Sequence, residues 1–217
     1  MGVDRGGHRM TVSARVAVMT PFAYLVIDYR TGRTQLLSTR PDGSRLAAGA
    51  AIVPHPGASL SWGTNEVPAV LGPVPSASLL WRLGAVPALM VTAVVSAMGC
   101  RRGKFWRMVR LSCCGRRFPP ASRAQAEAAV RAVRWASPVI PARWACLEQS
   151  AAAAVLLAAA GRRAEWRHGA APDPWRLHAW IADSAGVPVE EPADTVLYTL
   201  TYTPDGPVRR APEGSTE

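Results

Sequence analysis

Acidic residues are scarce in this chain. Its 217 residues carry 15 Asp and Glu against 25 Lys and Arg, a formal net charge of +10. That balance favours an anionic partner, whether nucleic acid, an acidic peptide or a membrane surface, without naming a function. Cysteine is also sparse. Cys100, Cys113, Cys114 and Cys146 have neither the paired spacing of a zinc site nor the density of a secreted disulfide framework, which points to a reducing cytoplasm. No apolar run follows the charges of "MGVDRGGHRM", so no signal peptide is expected, and Gly6 stands where a myristoylation motif takes Ser or Thr. Internal repeats and low-complexity tracts are absent. The length suits one ordinary domain with a smaller appendage and is enough to bury a core.

What is present is strongly segregated. The first eighteen residues are polar and irregular, with Met19 a plausible alternative start. The run "AYLVIDYRTGRTQLLS" predicts a β-hairpin turning at Thr31-Gly32, and the Gly-, Pro- and Ser-rich stretch after it predicts a linker. A first region, residues 1–75, therefore holds a hairpin and a linker. Residues 76–137 are helical and basic. They begin with an apolar segment whose 18 uncharged residues, Leu83 to Cys100, approach a membrane span in length; Pro87 and the many small residues favour a buried helix instead. Arg101 to Arg117 then holds seven basic residues and no acid, a pattern expected of a solvated helix face resting on something acidic. Ser122 and Gln125 form a capping box for a helix whose face is Ala126, Ala129, Val130 and Val133, and Pro138 stops it. Residues 138–217 contain a cysteine-headed helix ending at Gly161, then strand-like "RRAEWRHG", "LHAWIA" and "VPVEEP". The C-terminal half is α+β, with helices first and a small antiparallel sheet second.

Cys146 heads an alanine-rich helix. Unpaired backbone N–H groups and the positive end of the helix dipole favour thiolate there. Free cysteine is also among the most buried residue types, so packing is the alternative on this evidence alone. A nucleophilic thiol needs a base, and the base needs an orienting group. Of the histidines, His8 and His55 lie in weakly structured regions and His168 in a basic strand; His178 opens a strand after a Pro-rich loop and is the best placed. If "HAWIA" pairs with "VPVEE", position 178 faces Glu191 while Glu190 points to the other face; a one-residue slip would exchange them. Asp183 and Asp194 are reserve acids.

A cysteine helix followed by His and an acid on adjacent strands is the arrangement of transglutaminase-like and papain-like enzymes. More closely, "CLEQS", Gly161, Pro174, "HAW" and "GVPVEEP" resemble the leader peptidases of lasso-peptide biosynthesis, over about two thirds of the chain. Trp175 stands where that family usually has Phe, and the hairpin turn is one residue longer than usual. Counting from His178 places the family's acid at Glu190, and counting from Gly186 places it at Glu191; the hairpin geometry and Pro192 favour Glu191.

The resemblance implies a cysteine peptidase that separates leader from core in a ribosomally made precursor, using Cys146, His178 and Glu191 without metal or organic cofactor. It implies three partners: the precursor peptide, a small leader-binding protein and an asparagine-synthetase-like macrolactam cyclase. "AYLVIDYRTGRTQLLS" faintly resembles the first hairpin of leader-binding modules, but no set of helices completes one before residue 70, so a separate binding protein is expected. Neither nucleic-acid nor membrane association is expected. The competing readings are an acyl transferase of the same fold and a non-enzymatic basic adaptor for membrane or nucleic acid.

Overall fold

The computed structural model describes residues 15–20, 23–38, 51–54, 76–172 and 174–208. Their first part is a sheet ordered β3-β2-β1-β4, built from β1 (Arg15–Met19), β2 (Tyr24–Asp28), β3 (Arg33–Leu37) and β4 (Ala51–Pro54). The expected hairpin is β2–β3. Gly32 takes the left-handed conformation its turn requires, at φ 70°, and the Asp28 carboxylate accepts from the Arg30 and Thr31 N–H groups. Two expectations need correction here. The first eighteen residues are not irregular throughout: Arg15–Met19 pairs on both edges and buries Val16, Ala17 and Val18, so a start at Met19 would remove an inner strand. The linker is not all loop, because Ala51–Pro54 runs parallel to β1. Both strands are short and flanked by turn formers, which hides them from pattern reading.

Four helices follow among the described residues: α1 (Leu79–Ala97), α2 (Lys104–Ser112), α3 (Arg123–Ala136) and α4 (Cys146–Ala159). The capping box at α3 forms as expected, with Gln125 N–H donating to Ser122 Oγ and Ser122 N–H to Gln125 Oε1. α4 ends in a Schellman motif. Gly161, at φ 68°, donates to Ala158 O, and Arg162 N–H reaches back to Leu157 O. Small side chains let α4 lie at the centre: Ala151 to Ala154 are buried, and the helix touches α1, α2, α3 and the second sheet. α1 departs from the expected buried helix. Ala85, Ala88, Leu89 and Thr92 are buried, whereas Leu80, Leu83, Met90 and Val94 lie exposed, although the helix is long and apolar enough to cross a membrane. The basic run does rest partly on acid and backbone: Lys104 pairs with buried Glu148 of α4 at 2.8 Å, and Arg107 donates to the carbonyls of Val95 and Cys100.

The second sheet, ordered β6-β5-β7-β8, comprises β5 (Glu165–Ala171), β6 (Arg176–Ala182), β7 (Thr199–Thr203) and β8 (Gly206–Pro207), all antiparallel. Helices followed by a small antiparallel sheet make the C-terminal half α+β, as its sequence pattern predicts. The two sheets share one core. Tyr29, just past β2, is fully buried: its hydroxyl meets His168 Nδ1 at 2.7 Å and Thr201 Oγ1 at 2.6 Å, and its ring packs on Phe105 and Tyr202. The hairpin thus packs into the molecule instead of standing apart as an appendage.

Candidate active site

Cys146 is the first residue of α4. Ala145 before it is extended and supplies no side-chain cap, so the N–H groups of the first turn point out of the helix unpaired with backbone; the first helical bond is Gln149 N–H to Ala145 O. The sheet edge meets this end. β6 is an edge strand whose inner side is occupied by β5; its outer side is bonded to the following segment only at its C-terminal end, which leaves the part around Ala179 for other partners. There the Ala179 N–H from the strand, the Leu147 N–H from the helix and the His178 ring surround the Cys146 sulfur and favour its charged form. Burial pushes this thiol up, but His178 and the two N–H groups outweigh it and hold Cys146 below the ordinary thiol range. Burial prevails at two other cysteines: it is the largest cause pushing Cys113 up to about 12, and it raises Cys114 as well.

His178 lies between the thiol and a carboxylate. Its Nε2 is 2.8 Å from Glu191 Oε2, which leaves Nδ1 for Cys146. Trp180, two residues along the same face of β6, stacks beneath the ring at 12° and 5.7 Å, and Tyr198 flanks it. Burial pulls the imidazole down, but the Cys146 and Glu191 contacts prevail and raise it to about 9. The stack requires a residue without a side chain behind it. A Cβ at Gly169, directly opposite His178, would lie 2.9 Å from the Trp180 ring and 2.8 Å from Thr199 O.

The pairing that leads to Glu191 differs from the expected one. Only one bridge, Ala182 to Pro188, joins β6 to the segment after it, and Val189 N–H donates to Ile181 O. That register is slipped by one residue, so it sets 191 opposite Ala179 and not opposite His178. "VPVEE" is also no continuous strand, because Glu190 adopts a left-handed φ of 55°. Such a conformation costs a non-glycine residue about 1–2 kcal/mol. It turns the chain out of the ladder and delivers Glu191 to the histidine after all. Glu190 is directed elsewhere: its carboxylate meets Arg131 at 2.7 Å. The reserve acids have other partners or places. Asp183 accepts from the Ala185 and Val187 N–H groups and pairs with Arg123, and Asp194 lies in the first turn of a 3-10 helix at Ala193–Leu197.

The other histidines are not part of this constellation. His168 is buried against Tyr29 and Thr201, and burial holds it near 3, uncharged. His8 and His55 lie outside the described residues. Sequence reasoning missed Arg134, whose Nη2 is 2.8 Å from Glu191 Oε1, and the pocket walls Val130, Val133, Trp144 and Gln149. Periodicity placed Val130 and Val133 on the inner face of α3, yet nothing in a linear pattern says which site that face borders. The pocket is small, about 140 Å³, and opens onto Cys146, His178 and Glu191 together. Among the described residues no three His, Cys, Asp or Glu side chains are grouped to hold a metal ion.

A helix-borne thiol held below its usual range, an imidazole held above its own and a carboxylate on the far ring nitrogen are the parts of a cysteine-dependent acyl-transfer site on an α+β fold. Comparison gives the same class. The sequence matches the transglutaminase-like superfamily over residues 88–203, more than half of the chain, and the protein belongs to that superfamily. Its members are generally cysteine-dependent enzymes, and the fold is compatible with peptidase or acyltransferase activity. Comparison with curated proteins and with solved structures gave no match.

Proposed function

We propose that the protein is a cysteine peptidase that removes the leader from a ribosomally made lasso-peptide precursor before macrolactam closure, acting in the reducing cytoplasm. The observation that carries the chemistry is the single line of contacts from Cys146 through His178 to Glu191, at the mouth of one pocket. The resemblance of "CLEQS", "HAW" and "GVPVEEP" to the leader peptidases supports the substrate. In this reading the Cys146 thiolate attacks the scissile carbonyl carbon, and the N–H of Cys146 stabilises the oxyanion. As the C–N bond breaks, His178 passes its proton to the leaving amine, which is the new N-terminus of the core. The leader remains as a thioester. His178 then takes a proton from water, whose oxygen attacks the thioester, and the leader leaves as a carboxylate with the thiolate regenerated. Glu191 holds the ring throughout. The freed amine is the nucleophile that an asparagine-synthetase-like cyclase joins to an acidic side chain of the core.

The separate leader-binding protein belongs to the same proposal, with tight leader binding expected only in its presence. The test is incubation with the short precursor encoded by a neighbouring reading frame, together with that binding protein, and mass spectrometry of the products. Wild-type protein should release leader and core, and Cys146→Ala should release neither while keeping its circular dichroism spectrum. Cleavage by folded Cys146→Ala would sink the mechanism. Products of the right chemistry from an unrelated peptide, and none from the precursor, would sink the substrate.

A further inference from the structure

We propose that Arg134 of α3 is a positioning residue, setting the Glu191 carboxylate on His178; the proposal rests on the triad reading above. The ladder beside β6 works against this contact. With Ala182 opposite Pro188, a regular strand would place residue 191 on the Ala179 face of the sheet, away from the histidine. The left-handed turn at Glu190 reverses that, and Arg134 is the group that holds the chain as it leaves the turn. Its Nη1 donates to the Glu190 carbonyl and its Nη2 to Glu191 Oε1. The second carboxylate oxygen goes to His178, so both Glu191 oxygens are engaged and the group has no freedom to rotate. Arg131, one turn earlier on the same helix face, holds the Glu190 side chain at 2.7 Å and keeps it clear of the imidazole. A planar fork can bridge a carbonyl and a carboxylate at once; a lysine ammonium on the same stem cannot keep both directions. The arrangement transmits the position of α3, whose Val130 and Val133 also wall the pocket, to the base of the reaction.

The experiment uses the purified full chain and needs no substrate. Site-resolved alkylation of Cys146 by iodoacetamide is followed from about pH 5 to about pH 10, with thermal melting recorded for each variant. The groups facing the thiol are His178 and, through it, Glu191 and Tyr198, so the midpoint of the rise in rate reports the imidazole's hold on the thiolate. Arg134→Gln should move that midpoint up by about one pH unit and slow alkylation near pH 6 about tenfold. Arg134→Lys should move it part of the way and, by keeping the charge, guards against a glutamine variant that does not fold. A folded Arg134→Gln or Arg134→Lys protein with the wild-type midpoint, altered only in melting temperature, would overturn the proposal. So would a midpoint that moves down. If wild-type Cys146 itself reacts like an ordinary thiol, the triad reading fails and takes this proposal with it; a reactive wild type beside an unchanged Arg134→Gln removes the positioning role alone.

Discussion

In the proposed mechanism His178 carries most of the chemistry, because it stands between two groups that both favour its charged form. With the imidazole raised to about 9 and the Cys146 thiol lowered, the ion pair is present between the lowered thiol value and about pH 9. In the proposed peptidase mechanism, the kcat/KM of peptide cleavage should fall as pH rises through about 9, where the ring loses the proton it would give to the leaving amine. It should also fall on the acid side, as the thiolate takes up a proton. An alkaline limb near the ordinary imidazole value of 6.5 would contradict this assignment. The fold feels the same shift: His178 binds its proton more tightly when folded, so this stabilisation is full below about 6.5 and lost as pH passes about 9. The two glutamates should separate cleanly. Glu191→Gln should lower kcat about a hundredfold, through loss of the charged partner on the ring. Glu190→Gly should leave kcat unchanged and hold its melting temperature, because glycine takes the left-handed conformation freely while the Arg131 pair is lost. Cys146, His178 and Glu191 are the three residues that the sequence singles out and the structure brings together. The route to Glu191 was not legible, since a positive φ at a glutamate leaves no mark in a pattern of alternating residues.

At the scale of elements, α4 shows how composition serves position. Four consecutive buried alanines let three helices and a sheet approach one axis, and this fixes the start of the helix where the thiol sits. Ala153→Leu should destabilise the protein by about 1–3 kcal/mol, since the added atoms have no space between α4 and its neighbours. Thermal or urea melting checks it, and a variant as stable as wild type would show the packing to be looser than described. Helices were the legible part of this fold. The capping box at Ser122, the stop at Pro138 and the terminator Gly161 each act locally, within a few residues, so the sequence alone determines them. Strands were less so. β1 and β4 are five and four residues long, and their pairing with each other joins segments far apart in the sequence. "VPVEE" shows the opposite error, an alternating pattern that one left-handed residue prevents from becoming a strand.

Over the whole molecule, the joint between the sheets is the feature least visible in the sequence. Tyr29 and His168 are 139 positions apart, and the composition between them suggests a linker and a fresh start. The hydroxyl of Tyr29 serves His168 and Thr201 in a buried setting. Tyr29→Phe should therefore cost about 1–3 kcal/mol in denaturant melting, because two polar groups lose a partner that water cannot replace. No measurable change would mean that the joint is wetter than its burial implies. The family match begins at residue 88, yet the core extends back to Val16. A chain trimmed to the matched segment would carry the whole triad and still present an open aromatic socket, formed by Phe105, His168 and Tyr202, where Tyr29 had been. The unit that can be cut out, swapped between relatives or evolved as one piece is therefore set by that socket and its plug, and not by the borders of the catalytic signature.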